Sequence, residues 1–216
     1  MSSDGHTHDH PHDDAAAHPA HAAVEEPPPG YYAVMQQAVE ALLIDKGILS
    51  ADEIRRAVEA MDSRTPAQGA RVVARAWTDP GFKARLLADG TAACRELGIE
   101  MGPTRLVVVE NTPETHNLVV CTLCSCYPRM VLGLPPDWYK SRAYRSRAVR
   151  EPRAVLREFG TEIAEDVAVR VHDSTADMRY LVLPRRPDGT EGLDEAALTG
   201  LVTRDCMIGV TVPAPS

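Results

Sequence analysis

Three thiols fall within six residues in Cys121-Thr122-Leu123-Cys124-Ser125-Cys126, and such a loop can hold one metal ion while its own backbone stays within bonding reach. Zinc sites ordinarily draw four side chains, often as two separated Cys-x-x-Cys pairs. Here one loop carries three sulfurs and no second pair follows. The amide nitrogens of Ser125 and Cys126 lie between the sulfurs, so a strongly Lewis-acidic ion held there could displace the amide protons. The result is a claw of two nitrogens and three sulfurs with one open position. Thiolates suit soft or borderline ions, and deprotonated amides suit a tetragonal or octahedral trivalent ion better than tetrahedral zinc. A water at the open position would be acidified, or a substrate polarised. Two competing uses remain. A zinc or iron–sulfur site needs a fourth ligand from Cys94, Cys206 or a histidine, and neither cysteine sits in paired spacing. A redox Cys121/Cys124 pair is disfavoured by the third thiol and by the missing βαβ context.

A chain of 216 residues fits one domain of ordinary size plus a tail, and 44% hydrophobic residues suffice for a core. The formal charge of -8, with scattered arginines and no basic stripe interleaved with aromatics, argues against a nucleic-acid surface. Arg142, Arg145, Arg147, Arg150 and Arg153 alternate with apolar residues at helical spacing, which suits ion pairs with local acids or a partner subunit. Five cysteines, three of them in the claw, do not make a secreted disulfide framework. No apolar run approaches membrane-spanning length and the start lacks a secretory core, so no membrane contact and a cytoplasmic location are expected.

Three regions are expected. Residues 1–30 form a disordered tail in which His6, His8, His10, His12, His18 and His21 alternate with Asp, Ala and Pro, a composition that could bind divalent metal weakly. Residues 31–98 read as helical. An apolar stripe over Val34, Ala38, Ala41, Leu42 and Ile44 ends at Gly47, and Ser50-Ala51-Asp52-Glu53 reads as a capping box. Thr65-Pro66 and Asp79-Pro80 are two further helix starts. In 99–216 the period changes. Leu106 to Val109, Asn117 to Val120, Val167 to Val171 and Arg179 to Leu183 read as strands, with short helices near Trp138, from Pro152, and after Asp194. The fold class is α+β, helical first and mixed α/β around the metal loop. His116 and His172 stand alone and read as structural, and Trp77 and Phe82 as core.

Beyond the loop, Gly133-Leu134-Pro135-Pro136-Asp137-Trp138-Tyr139-Lys140, Ala76-Trp77-Thr78-Asp79-Pro80, Val109-Glu110-Asn111-Thr112, Val149-Arg150-Glu151-Pro152-Arg153 and Leu201-Val202-Thr203-Arg204-Asp205 resemble the α subunit of nitrile hydratase, from about Val34 to Val210. The resemblance implies a low-spin Co(III) or Fe(III) held by Cys121, Cys124, Cys126 and the amides of Ser125 and Cys126. It further implies a sulfinic acid at Cys124 and a sulfenic acid at Cys126, steps on the cysteine oxidation ladder. Thr122 and Tyr127 match the cobalt branch, whereas the iron branch resembles Cys-Ser-Leu-Cys-Ser-Cys-Thr. Catalysis is expected from Cys126, Cys124 and Ser125. The Cys126 oxygen attacks the nitrile carbon or acts as base toward water, giving an imidate that tautomerises to the amide.

The resemblance also implies a β-type partner, as one chain or two, that supplies arginines to the oxidised sulfurs, so this chain alone is expected to be incomplete. One departure bears on the substrate. Most cobalt nitrile hydratases carry Trp-Pro after the Cys-Tyr-Pro that ends the loop, and this chain has Arg129-Met130. With Tyr127, these are the candidates for the substrate pocket. Thiocyanate hydrolase, whose γ subunit is built on the same claw, is similar at that spot, and thiocyanate hydrolysis to carbonyl sulfide is the alternative activity. A cobalt carrier or assembly protein is the non-enzyme alternative.

Overall fold

A computed structural model describes residues 30–214, so the histidine-rich tail lies outside the described residues apart from Gly30. The chain divides into two compact units between Ser50 and Ala51. In the first, α1 (Tyr31–Asp45) carries the expected apolar stripe and has no buried residue, and the turn at Gly47 follows it.

The second unit opens with α2 (Ala51–Asp62), α3 (Pro66–Thr78), α4 (Pro80–Ala88) and α5 (Gly90–Glu96). Proline at the first position of α3 and α4 costs no hydrogen bond there, because the first amides of a helix have no internal partner. Asp79 Oδ1 accepts the Phe82 amide at 2.9 Å and Asp89 Oδ1 accepts the Ala92 amide at 3.0 Å, closing the starts of α4 and α5. α3 buries Ala70, Val72, Val73, Ala74 and Ala76. Phe82 is buried as expected, while Trp77 is only half-buried and its indole donates to the Pro184 carbonyl at 2.8 Å.

After α5 come β1 (Arg105–Glu110), β2 (Thr115–Val120), the short helices α6 (Arg129–Leu132) and α7 (Asp137–Lys140), then α8 (Arg142–Arg150), α9 (Pro152–Glu158), β3 (Ala168–Asp173), β4 (Met178–Leu183), α10 (Glu195–Gly200) and α11 (Arg204–Ile208). The strands do not form hairpins. β1 pairs with β4 and β2 with β3, both in parallel, as two separate two-stranded sheets. A parallel pair needs a long crossover, and residues 121–167 between β2 and β3 supply one made of the metal loop and four helices. β2 is buried at five successive positions, the pattern of a strand covered on both faces. α8 and α11 both pack on it.

The start of β2 is bolted to the C-terminal helix. Gly209, at φ 90°, approaches the Asn117 carbonyl so closely that a Cβ would collide with it. Its own carbonyl accepts His116 Nε2 at 2.7 Å, which leaves Nδ1 of the neutral ring facing the Asn111 amide at 3.4 Å. Asn111 Oδ1 accepts the Asn117 backbone amide at 2.7 Å, and Asn117 Oδ1 accepts His172 Nε2 at 2.8 Å. Both histidines are therefore structural, His116 through both ring nitrogens and His172 through Nε2.

Burial, opposed by the Gly209 carbonyl, holds His116 below its ordinary value of 6.5. Below 6.5 the unfolded chain takes up a proton that the folded chain refuses, so this group lowers stability as pH falls from there toward its folded pKa and has no effect above. His172 is held down in the same direction, first by burial and then by Arg170. The urea midpoint is expected to drop between about pH 7 and pH 5, and less steeply in His116→Gln. An equally steep drop in that variant would refute the assignment.

Candidate metal centre

β2 delivers the chain directly into the loop. Because β2 and β3 run parallel with Val120 opposite Asp173, both strands end at the same edge, and the last residue of β3 stands beside the first residues of the loop. Asp173 accepts two hydrogen bonds from Thr122, from its amide at 2.9 Å and its hydroxyl at 2.5 Å. The Ser174 amide donates to the Val120 carbonyl at 2.8 Å. The loop is held on its other side by Arg145 Nη1, which donates to the Cys124 carbonyl at 2.5 Å, and by the Tyr139 hydroxyl, which donates to the Cys126 carbonyl at 2.9 Å.

Pinned at these points, the loop turns its three sulfurs inward. Cys121 Sγ and Cys124 Sγ are 3.3 Å apart, Cys124 Sγ and Cys126 Sγ 3.1 Å, and all three lie within 4.8 Å of one another. Cys121 is buried, Cys126 half-buried and Cys124 exposed. Hydrogen bonds from Cys126 and then Cys121, with help from the backbone amides of Cys126 and Ser125, bring Cys124 down to about 7. Burial, and then the bond to Cys124, push Cys126 up to about 12. The hydrogen bonds thus favour the thiolate at Cys124, and a thiolate is the form that binds a metal.

The donor set fits a soft or borderline ion: three sulfurs converge, and the Ser125 and Cys126 amides bear on the Cys124 sulfur. No histidine or carboxylate joins them among the described residues. Cys94 and Cys206 are buried elsewhere, in α5 and α11. Neither lies in the sulfur cluster, so among the described residues no fourth cysteine or histidine joins the loop as a zinc or iron–sulfur site would need. Behind the loop stands an aromatic layer, with Tyr127 against Tyr139 at 5.0 Å between ring centroids and Trp138 against Tyr144 at 4.9 Å and Phe159 at 4.8 Å. The Tyr144 hydroxyl donates to the Val119 carbonyl at 2.6 Å, tying α8 to the end of β2.

In front lies a cavity of about 560 Å³ onto which Cys124, Ser125 and Cys126 open, and all three residues singled out for the substrate pocket, Tyr127, Arg129 and Met130, line it. Tyr127 is buried with its hydroxyl unpartnered, Met130 is half-buried, and Arg129 is exposed. The cavity also takes Arg64 and Arg179, which nothing in the sequence marked, because they arrive from the turn after α2 and from β4. Asp173 and Tyr139 were equally silent, and Arg145, read as an ion-pairing cation, bonds the Cys124 carbonyl instead. Only the strand register and the packing of α7 and α8 reveal what they touch.

The model of the family described as nitrile hydratase, alpha chain, matches residues 30–211. The low-molecular weight cobalt-containing nitrile hydratase subunit alpha of Rhodococcus rhodochrous is 56% identical over 179 residues, 82% of this chain and 86% of that protein. The thiocyanate hydrolase subunit gamma of Thiobacillus thioparus is 43% identical over 196 residues, 85% of this chain and 81% of that protein. A solved recombinant thiocyanate hydrolase with partially modified cobalt centres superposes with a TM-score of 0.82 at 42% identity, covering 86% of this chain and 91% of that one. The inward-turned cysteine loop thus sits in a chain matched by one family model over nearly all its described length, and this chain belongs to the nitrile hydratase α-chain family.

Proposed function

We propose that this chain is the metal-binding subunit of a cobalt nitrile hydratase, hydrating a nitrile to its amide together with a β-type partner of one or two chains. The observation that carries the reading is the convergence of the sulfurs of Cys121, Cys124 and Cys126, the latter two lining a cavity of about 560 Å³, in a chain 56% identical to a cobalt-containing nitrile hydratase subunit. Residues 99–216 carry the ligands, and residues 31–98 serve packing and subunit contact. No described helix is long and apolar enough to cross a membrane, in keeping with a cytoplasmic enzyme.

One cobalt ion, taken as Co(III), would be held by the three sulfurs and the amide nitrogens of Ser125 and Cys126, and when bound it would supply Lewis acidity to polarise a nitrile. The chain's own residues do the rest. Cys126, as a sulfenate, presents an anionic oxygen at the cavity and either attacks the nitrile carbon or takes a proton from water. Cys124 carries the sulfinate, and arginines of the partner balance both oxyanions. Asp173, Arg145 and Tyr139 each hold one peptide of the loop, so the sulfurs keep their positions through turnover. The aromatic layer closes off water from behind. A second reading, hydrolysis of thiocyanate, is favoured by Arg129 at the cavity and by the TM-score of 0.82 to thiocyanate hydrolase.

Assayed as the cobalt-loaded complex with its partner, the protein is expected to convert a neutral nitrile to the amide. Release of carbonyl sulfide from thiocyanate with no amide from any nitrile would transfer the assignment to the second reading. Cys124→Ser and Cys126→Ser are each expected to lower turnover at least about a thousandfold, and near-normal rates in either would remove the claw from the mechanism. Asp173→Ala, which frees Thr122, is expected to weaken cobalt retention against a competing chelator by about tenfold or more. Unchanged retention would show that the loop positions its sulfurs without that carboxylate.

A further inference from the structure

The cavity in front of the sulfurs is lined by three guanidinium side chains, Arg64, Arg129 and Arg179, and by no carboxylate among the described residues. The chain carries a formal charge of -8, so three cations without an acid run against its overall sign. The three come from separate parts of the fold, and two of them are fixed beside the site. Arg179 in β4 donates to the carbonyls of Thr175, Ala176 and Met178. The Arg64 backbone is pressed against Gly133, at φ 69°, so closely that a Cβ there would strike the Arg64 carbonyl, which binds the turn carrying Arg64 to the end of α6. Arg129 begins that same helix. Neither Arg64 nor Arg129 has an acidic partner within ion-pair distance among the described residues, whereas Arg75, Arg85 and Arg147 do. A cationic cavity with unspent guanidinium donors recognises an anion, because guanidinium binds a carboxylate through two parallel hydrogen bonds and the field of the three charges draws one in.

We infer that the cavity formed by Arg64, Arg129 and Arg179 selects nitriles that carry a carboxylate, with Arg129 the specificity-determining contact. The inference rests on the nitrile-hydration reading and names its substrate class. The competing account is that the arginines only offset the negative charge of the sulfur donors. In that case their loss weakens hydration of every nitrile alike.

Cyanoacetate and cyanoacetamide separate the two accounts, since they match in size and differ by one charge. In the cobalt-loaded complex, kcat/KM is measured for both with the unaltered chain, Arg129→Gln, Arg64→Gln and Arg129→Lys, after cobalt content has been shown equal. The ratio of the cyanoacetate value to the cyanoacetamide value is expected to fall about tenfold in Arg129→Gln, chiefly through KM. Arg64→Gln should shift it the same way, Arg129→Lys should restore part of it, and added salt should lower it in the unaltered complex. A ratio that is the same in all four chains, or a parallel loss for both nitriles, overturns the inference and leaves nitrile hydration standing. Hydration of neither compound, nor of any neutral nitrile, overturns the nitrile reading itself and this inference with it.

Discussion

The parallel pairing of β2 with β3 is the constraint on which the centre depends. Parallel strands finish at a common edge, so the chain that leaves β2 as the cysteine loop meets the carboxylate that ends β3 without any further device. An antiparallel partner in the same position would set the beginning of its strand there. The crossover demanded by parallel pairing is also put to use, since its helices α7 and α8 bring Tyr139 and Arg145 back onto the loop they follow. The loop is thus gripped by elements before it and after it in the sequence. That accounts for three sulfurs lying close together in a segment with no regular secondary structure of its own.

Much of this was readable from the chain. The thiol spacing marked the three sulfurs that cluster, and the cap-plus-proline pairs at Thr65-Pro66 and Asp79-Pro80 marked two helix starts, because both signals act through neighbouring residues. All four strands fall within two residues of their expected limits, since β-branched runs report locally on burial. Strand partners are another matter. Nothing in Val120 or Asp173 says that they stand opposite each other, and a short connection between β1 and β2 would ordinarily suggest that those two pair. Arg64 and Arg179 were unreadable for the same reason: a surface arginine and one lining a cavity look alike until the backbone brings distant segments together. Arg129 was legible only because it sits three residues beyond the loop.

The histidines illustrate the converse. Lone imidazoles near a metal motif invite assignment as ligands, yet His116 bonds Gly209 and Asn111, and His172 Nε2 bonds Asn117. Their work is to join the start of β2 to α11 and to β3. Buried polar groups of this kind tolerate no missing member, since each unpaired atom would carry its full desolvation cost. The metal loop therefore hangs from a strand whose other end is fixed by a polar network, with an apolar middle between them.

The graded burial of the three cysteines has a consequence for what can reach the centre. Cys121 is fully enclosed beneath the loop, at 0% exposure, while Cys124 faces solvent and Cys126 looks into the cavity. A reagent in solution therefore meets Cys124 and Cys126 before it can meet Cys121, around which packed side chains leave no room for added atoms. The fold thus leaves one of the three thiols sheltered and two accessible.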